Sequence, residues 1–256
     1  KQPMAGIETD QLTKRYGNTL AVDRLYLSIS EGIVYGFLGP NGAGKTTTMR
    51  LLTGLTQPTS GTGSVADVPI TDRDGLRSHI GYLPEEPPLY EHATAYEQLE
   101  YVAGLRDLPA ETTRERIDTL LDELDLAADA ATRIAEYSKG MRQKTAYIQA
   151  VLHKPDVVFL DEPTSGLDPR AARTIRALIT NLANSGTTVF LSTHILPVVE
   201  EVADTVGILY DGQLVAEDAP ETLTTRAETG DTQTLEDVFL ELTSTDPAGD
   251  ERATDG

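Results

Sequence analysis

Cysteine is absent from the 256-residue chain, so no disulfide and no thiolate-held metal contributes to it, and its redox compartment is left open. Long apolar runs are absent too. None approaches the roughly 20 residues that a helix needs to cross a bilayer, and no signal-peptide pattern leads the sequence, so the expectation is a soluble, cytoplasmic protein. The sequence begins at Lys1 rather than at methionine, which leaves the native start open. Positive charge is scarce: 21 Lys plus Arg stand against 41 Asp plus Glu, a net charge of −20. A surface of that sign repels phosphate backbones, which argues against nucleic acid or anionic lipid as a bulk partner. It also suits a salt-loving source, because at molar salt the Debye length shrinks to about 3 Å and self-repulsion is screened. Internal repeats are lacking. The length allows one large domain, or a domain with a subdomain.

What is present is concentrated in one stretch. Gly39-Pro40-Asn41-Gly42-Ala43-Gly44-Lys45-Thr46 matches GxxxxGK(S/T), a loop that wraps nucleotide phosphates with backbone N–H groups. Ile33 to Phe37 before it reads as a buried strand, and Lys45 to Gly54 after it as a helix. Gly42 and Gly44 carry no Cβ, so the backbone can close around an anion, and the new helix aims its N-terminal dipole there. Lys45 is placed to reach the β- and γ-phosphates, and the Thr46 hydroxyl to sit on Mg²⁺. A nucleoside triphosphate is the expected ligand, contacted by Gly39, Asn41, Gly42, Ala43, Gly44, Lys45, Thr46 and Thr47.

The rest of the chain alternates strands and helices. Leu25, Leu27 and Ile29 alternate with polar residues as in a half-exposed strand. Gln57 to Gly63 reads as a surface loop, and Ile80 to Leu83 as a short strand. A helical stretch follows. Thr94 and Glu97 form a capping box, Ile117, Leu120, Leu121 and Leu124 make an amphipathic stripe, and Ser138 is an N-cap for a helix ending near Leu152. Val157 to Leu160 is an unbroken apolar strand, as in a parallel sheet covered on both faces. Pro169 to Asn184 reads as a helix stopped at Gly186, and Thr187 to Leu191 as a strand. Val206 to Ala216 reads as a hairpin turning at Asp211-Gly212. Leu235, Val238, Phe239 and Leu242 give a last amphipathic helix, with a polar tail beyond Ser244 that reads as disordered.

Asp161 and Glu162 end the Val157 strand. Downstream of a phosphate loop, a strand-end Asp can hold Mg²⁺, and the neighbouring Glu162 can polarise the attacking water.

Together these residues resemble the nucleotide-binding subunit of ATP-binding-cassette (ABC) transporters over about residues 7–225. Tyr137-Ser138-Lys139-Gly140-Met141 resembles the family signature, usually LSGGQ, in an exporter-type variant. Ser165-Gly166-Leu167-Asp168 resembles the D-loop, and Ser192-Thr193-His194 the switch region. The resemblance implies an α/β phosphate-loop NTPase core of ABC type, with a mainly parallel sheet, an antiparallel β portion and an inserted helical subdomain. The division it implies is a single domain over 1–256: core 1–83 and 155–225, helical subdomain 84–154, and appendage 226–256 with its tail 244–256 disordered. It further implies that Ser138 and Gly140 touch the γ-phosphate and that Asp168 communicates between paired subunits. His194 would contact the γ-phosphate, and Tyr16 would stack on adenine. Glu85 stands where the family often has a glutamine that reaches Mg²⁺.

The activity implied is ATP hydrolysis powering transport, with ATP and Mg²⁺ as cofactors. Two cassettes, as homodimer or heterodimer, would pair head to tail, so a monomer would bind ATP yet scarcely turn it over. Separate transmembrane permease subunits would dock near Pro87 to Tyr101 and hold the protein on the inner face of the cell membrane. The signature variant and Leu235 to Phe239 lean toward export. The competing readings are a soluble ABC ATPase acting on DNA or ribosomes, and a phosphate-loop kinase or GTPase. The first meets the opposing charge, and the second lacks a guanine-reading Asn-Lys-x-Asp string.

Overall fold

The computed structural model describes residues 5–225 and 234–243. The chain opens with a long antiparallel hairpin, β1 (Ala5–Tyr16) and β2 (Thr19–Ser30). Next, β3 (Val34–Leu38) feeds the glycine loop and α1 (Lys45–Leu52). The following strands, β4 (Ser60–Val65) and β5 (Val68–Pro69), complete a four-stranded antiparallel sheet of order β2-β1-β4-β5.

The chain continues through α2 (Arg73–His79), β6 (Ile80–Leu83), α3 (Ala95–Leu105), α4 (Ala110–Glu123) and α5 (Lys139–Val151). It returns with β7 (Val157–Asp161), α6 (Pro169–Asn184), β8 (Thr188–Thr193), α7 (Leu196–Val202), β9 (Thr205–Tyr210) and β10 (Gln213–Asp218). The last elements are α8 (Pro220–Thr225) and α9 (Leu235–Thr243). The second sheet has the order β10-β9-β3-β8-β7-β6, parallel throughout except where β10 returns beside β9.

Every residue of β3, β7 and β8 is buried, which is why these strands read as unbroken apolar runs. Period-two alternation divides them between two cores. Tyr35, Phe37, Val157, Phe159 and Phe190 face the antiparallel sheet, packing with Leu12, Leu25, Ile29 and Met49. The Phe190 ring lies 5.5, 5.1 and 5.6 Å from those of Tyr35, Phe37 and Phe159, distances typical of favourable aromatic packing. Val34, Val158, Leu160, Val189 and Leu191 face the other way, in one continuous cluster with Leu99, Ile117, Leu121 and Ile148 of the helices. Both the Thr94–Glu97 capping box and the Ser138 cap of α5 form.

Two local expectations change. Gln57 to Gly63 is not all loop, since Ser60–Val65 pairs with β1 as β4. The glycines that suggested a loop serve close backbone approach: a Cβ on Gly61, at φ +79°, would run into the Gln11 carbonyl. The β8 strand extends two residues past Leu191, taking Ser192 and Thr193 into the sheet. The Asp211-Gly212 turn has φ of 46° and 78°, both positive as a primed hairpin turn requires. In the appendage, Leu235 of α9 is buried with Leu38, Val199 and Val206. Residues 226–233 and the tail 244–256 lie outside the described residues. Among the described residues no helix is long and apolar enough to cross a membrane.

Candidate active site

Because five neighbouring strands run parallel, their carboxyl ends share one edge, where an open α/β sheet binds ligands. The glycine loop leaves β3 there. Glu85 follows β6, Asp161 and Glu162 end β7, His194 follows β8, and Asp211-Gly212 follows β9. A cleft of about 340 Å³ opens at this edge, lined by Asn41, Gly42, Gly44, Lys45, Thr46, Thr47, Glu85, Asp161, Glu162 and His194, with Thr19, Leu20, Ala21, Asp211 and Gly212.

The loop's shape is set by backbone constraints. Gly44 caps α1 at φ 109°, and a Cβ there would strike the Ala21 carbonyl. No side chain caps α1 and no acid stands in its first turn, so its free N–H groups and dipole face the cleft. The Lys45 ammonium folds back onto the loop, donating to the Gly39 carbonyl at 2.6 Å and that of Pro40 at 3.3 Å. Burial lowers its pKa, opposed by the charges of Glu162, Asp161 and Glu85. These bonds hold the cation beside an N–H-lined loop, a fit to phosphate.

At the opposite wall, the Thr46 hydroxyl donates to Asp161 Oδ2 at 3.4 Å. Burial raises the Asp161 pKa, with the Glu162 and Glu85 charges acting in the same sense. Glu162 is buried at φ 47°, a region costly for a residue with a side chain. Thr193 Oγ1 donates to its Oε2 at 2.9 Å, and His194 Nδ1 lies 2.7 Å from its Oε1. With Glu162 ionised, Nδ1 carries the proton and donates, leaving Nε2 of the exposed ring free.

Four of the residues singled out by sequence lie outside the cleft wall, besides the loop positions Gly39 and Ala43. Tyr16 is 46% exposed, with Lys14 Nζ 4.9 Å from its ring centre, and pairs across the hairpin with Thr19, which does line the cleft. Ser138 is exposed and accepts from the Met141 N–H at 3.2 Å. Asp168 is exposed and caps α6 through the N–H groups of Ala171 and Arg170, which lower its pKa. Gly140 sits against the start of α6, where a Cβ would lie 3.1 Å from that of Ala171, so the Ser138 and Asp168 ends share a face.

Sequence reasoning missed the second-hairpin contribution and Thr193. The Gly212 N–H donates to the Ala43 carbonyl at 3.0 Å, tying the β9–β10 turn to the phosphate loop. Asp-Gly announced only a turn. For Thr193, the available signal was a hydroxyl next to a strand-end histidine.

Fold and cleft together define a phosphate-loop nucleotide-binding protein. The chain belongs to the ABC transporter family, whose model matches residues 22–165. It is 44% identical over 191 residues to an uncharacterised ABC transporter ATP-binding protein of Nostoc sp., covering 74% of this chain and 57% of that protein. It is 37% identical to the bacitracin transport ATP-binding protein BcrA of Enterococcus faecalis, over 82% of this chain and 68% of the relative. The chain thus spans little more than half to two thirds of these relatives. A solved ATP-binding subunit of an ABC transporter superposes with a TM-score of 0.84 at 30% identity, covering 92% of this chain and 98% of that one. The ATP-binding cassette MJ0796, solved as a dimer in a post-hydrolysis state with ADP and Pi, gives 0.76 at 26% identity over 83% and 98%.

Proposed function

We propose that this chain binds and hydrolyses ATP as the energy-supplying subunit of a transporter whose membrane-spanning subunits are separate chains. The observation that carries the reading is one cleft that brings together Lys45, the hydrogen-bonded Thr46 and Asp161, and the anchored Glu162. Thr46 and Asp161 offer hard oxygen donors side by side. Among the described residues no cluster of three acidic or histidine ligands cages a metal. That sparse set suits Mg²⁺, which keeps waters and phosphate oxygens in its shell. Bound there, the ion would neutralise charge building between the β- and γ-phosphates.

The loop N–H groups and Lys45 hold the triphosphate. Glu162, fixed by Thr193 and His194, accepts the proton of the attacking water. His194 Nε2 faces the γ-phosphate, donating to it when both ring nitrogens are protonated. Tyr16 stacks on the adenine at the rim, and Glu85 stands beside the metal position. Ser138, Gly140 and Asp168 serve the site of a second copy, so two chains pair head to tail. The dimeric state of MJ0796 supports that pairing. The exporter-type signature supports export, from a place on the cytoplasmic side of the membrane, and the bacitracin-transport relative supports a transport role. Glu162→Gln should keep ATP affinity within a few-fold and cut hydrolysis about 10³-fold, the upper range for a general base. Near-normal turnover in that variant would refute the role given to Glu162.

A further inference from the structure

The cleft at the strand ends is short of positive charge. Glu85, Asp161, Glu162 and Asp211 line it, with Lys45 as the one Lys or Arg among the described residues there. Asp161 has the Thr46 hydroxyl as a partner, and Glu162 has Thr193 and His194. Glu85 is exposed and, among the described residues, forms no ion pair, although its charge reaches Lys45 and Asp161. A triphosphate brings more negative charge than one divalent ion cancels, so Glu85 would stand as a bare carboxylate beside a polyanion.

The face that carries Ser138 and Asp168 has the opposite character. In a chain with 41 acids and 21 Lys plus Arg, α5 holds Lys139, Arg142 and Lys144, and α6 holds Arg170, Arg173 and Arg176, with no acid in either helix. Arg142 pairs with Glu91 and Arg176 with Glu201, while Lys144 donates to the Leu124 carbonyl. Arg170 answers Asp168 at the head of its own helix, and Arg173 lies further along it. Lys139 is exposed and forms no ion pair among the described residues. It follows the Ser138 cap directly, and its side chain crosses to the loop before α6. A Cβ on Gly166, at φ +64°, would lie 2.5 Å from Lys139 Nζ, so the glycine makes room for the ammonium. The cation is thus displayed beside Ser138, with no carboxylate bonded to it.

We propose that Lys139 of one copy enters the phosphate cleft of the other in the paired, triphosphate-bound state and forms an ion pair there with Glu85. The two groups converge because Ser138 of one copy reaches the γ-phosphate of the other, beside which Glu85 stands. A compact charge on a flexible four-carbon stem can swing from Gly166 to that carboxylate. Acidic cleft and basic helix ends then meet as complementary surfaces. The inference rests on the reading of this chain as one of two copies paired head to tail.

The test uses full chains carrying Glu162→Gln, so that bound ATP persists, and reads dimer formation by analytical ultracentrifugation at saturating ATP. Lys139→Glu sets a carboxylate opposite Glu85 in both sites, and Glu85→Lys sets an ammonium opposite Lys139 in both. Each should weaken the dimer about ten-fold or more, as a like-charge contact at an interface does. An equimolar mixture of the two should dimerise within about three-fold of the parent. One site then joins native Glu85 to native Lys139, and the other joins the two reversals. Dimerisation unchanged by either reversal overturns the inference. A mixture as weak as its components overturns it too, because each residue would then act within its own chain. Neutral variants guard against a misfolded reversal. Lys139→Gln should weaken the dimer less in a chain carrying Glu85→Gln than in one keeping Glu85, and an equal loss in both overturns the pair. All of these outcomes leave the proposed function standing. A parent chain that stays monomeric with ATP would strike the head-to-tail pairing in that function together with this inference.

Discussion

The cleft at the strand ends and the face carrying Ser138 and Asp168 are built in opposite ways. In the cleft, groups far apart in sequence meet because parallel strands end on one edge, and they already bond one another: Lys45 to Gly39, and Glu162 to Thr193 and His194. On the other face, Ser138 and Asp168 each cap their own helix and point into solvent. A sheet edge can assemble a site within one chain. A helix N-terminus displays its groups outward and becomes a site only when something is brought to it. In the proposed function the two regions therefore divide the work: binding is assigned to one chain, and turnover to the pairing.

The strongest blow to the first region is Gly44→Ala. The new Cβ meets the Ala21 carbonyl at a φ that side chains avoid. Strain and overpacking together should cost about 3 kcal/mol, lowering Tm by about 10 °C and removing ATP binding. A melt and a fluorescent-ATP titration read both effects, and a variant that melts and binds normally would deny the loop this fixed shape. Next comes a matched pair. Lys45→Ala removes the phosphate cation and should weaken ATP binding about 100-fold, or about 2.7 kcal/mol. Ser138→Ala should leave ATP affinity of the isolated chain unchanged, cost about 1 kcal/mol as a lost cap, and cut turnover about 100-fold through a donor lost from the transferring phosphate. Weakened binding in the Ser138 variant, or turnover per chain independent of protein concentration, would erase the contrast between the regions.

The first region was the more legible in sequence, for a physical reason. A phosphate loop needs glycine where the backbone turns left-handed or touches another strand, so Gly42 and Gly44 mark it directly. The apolar strands that lead to Asp161 and His194 told of a sheet buried on both faces. Sequence could not say that Ala21 and the Asp211-Gly212 turn close the same cleft. Those contacts depend on how the antiparallel and parallel sheets stack, and neither segment differs locally from an ordinary strand or turn. β4 was misread for a related cause: its glycines and hydroxyls suit a strand crowded against β1, a composition shared with loops. The Ser138 face was legible as a helix cap and, by resemblance, as a signature. Periodicity alone carries no hint of what a cap faces.

The smallest expected effect falls outside both regions and separates stability from ligand binding. His153 follows α5, and its Nε2 donates to the Ile80 carbonyl at 2.9 Å, leaving an enclosed, unpartnered Nδ1. Burial, with the Arg106 and Arg116 charges, lowers its pKa to about 4, from 6.5. The unfolded chain therefore takes up a proton near pH 6.5 that the folded chain refuses until about pH 4. Stability from the neutral imidazole is present above pH 6.5 and is lost as pH falls through that window. His153→Gln keeps a donor for Ile80 but cannot become charged. In urea unfolding, the wild type should lose about 1–2 kcal/mol relative to this variant between pH 7 and pH 4, a figure reduced for the ring's partial exposure. ATP affinity at neutral pH should be the same in both. A constant stability difference across the window would mean the site admits the charge, and a changed ATP affinity would mean that the helical insert and the cleft are not separable.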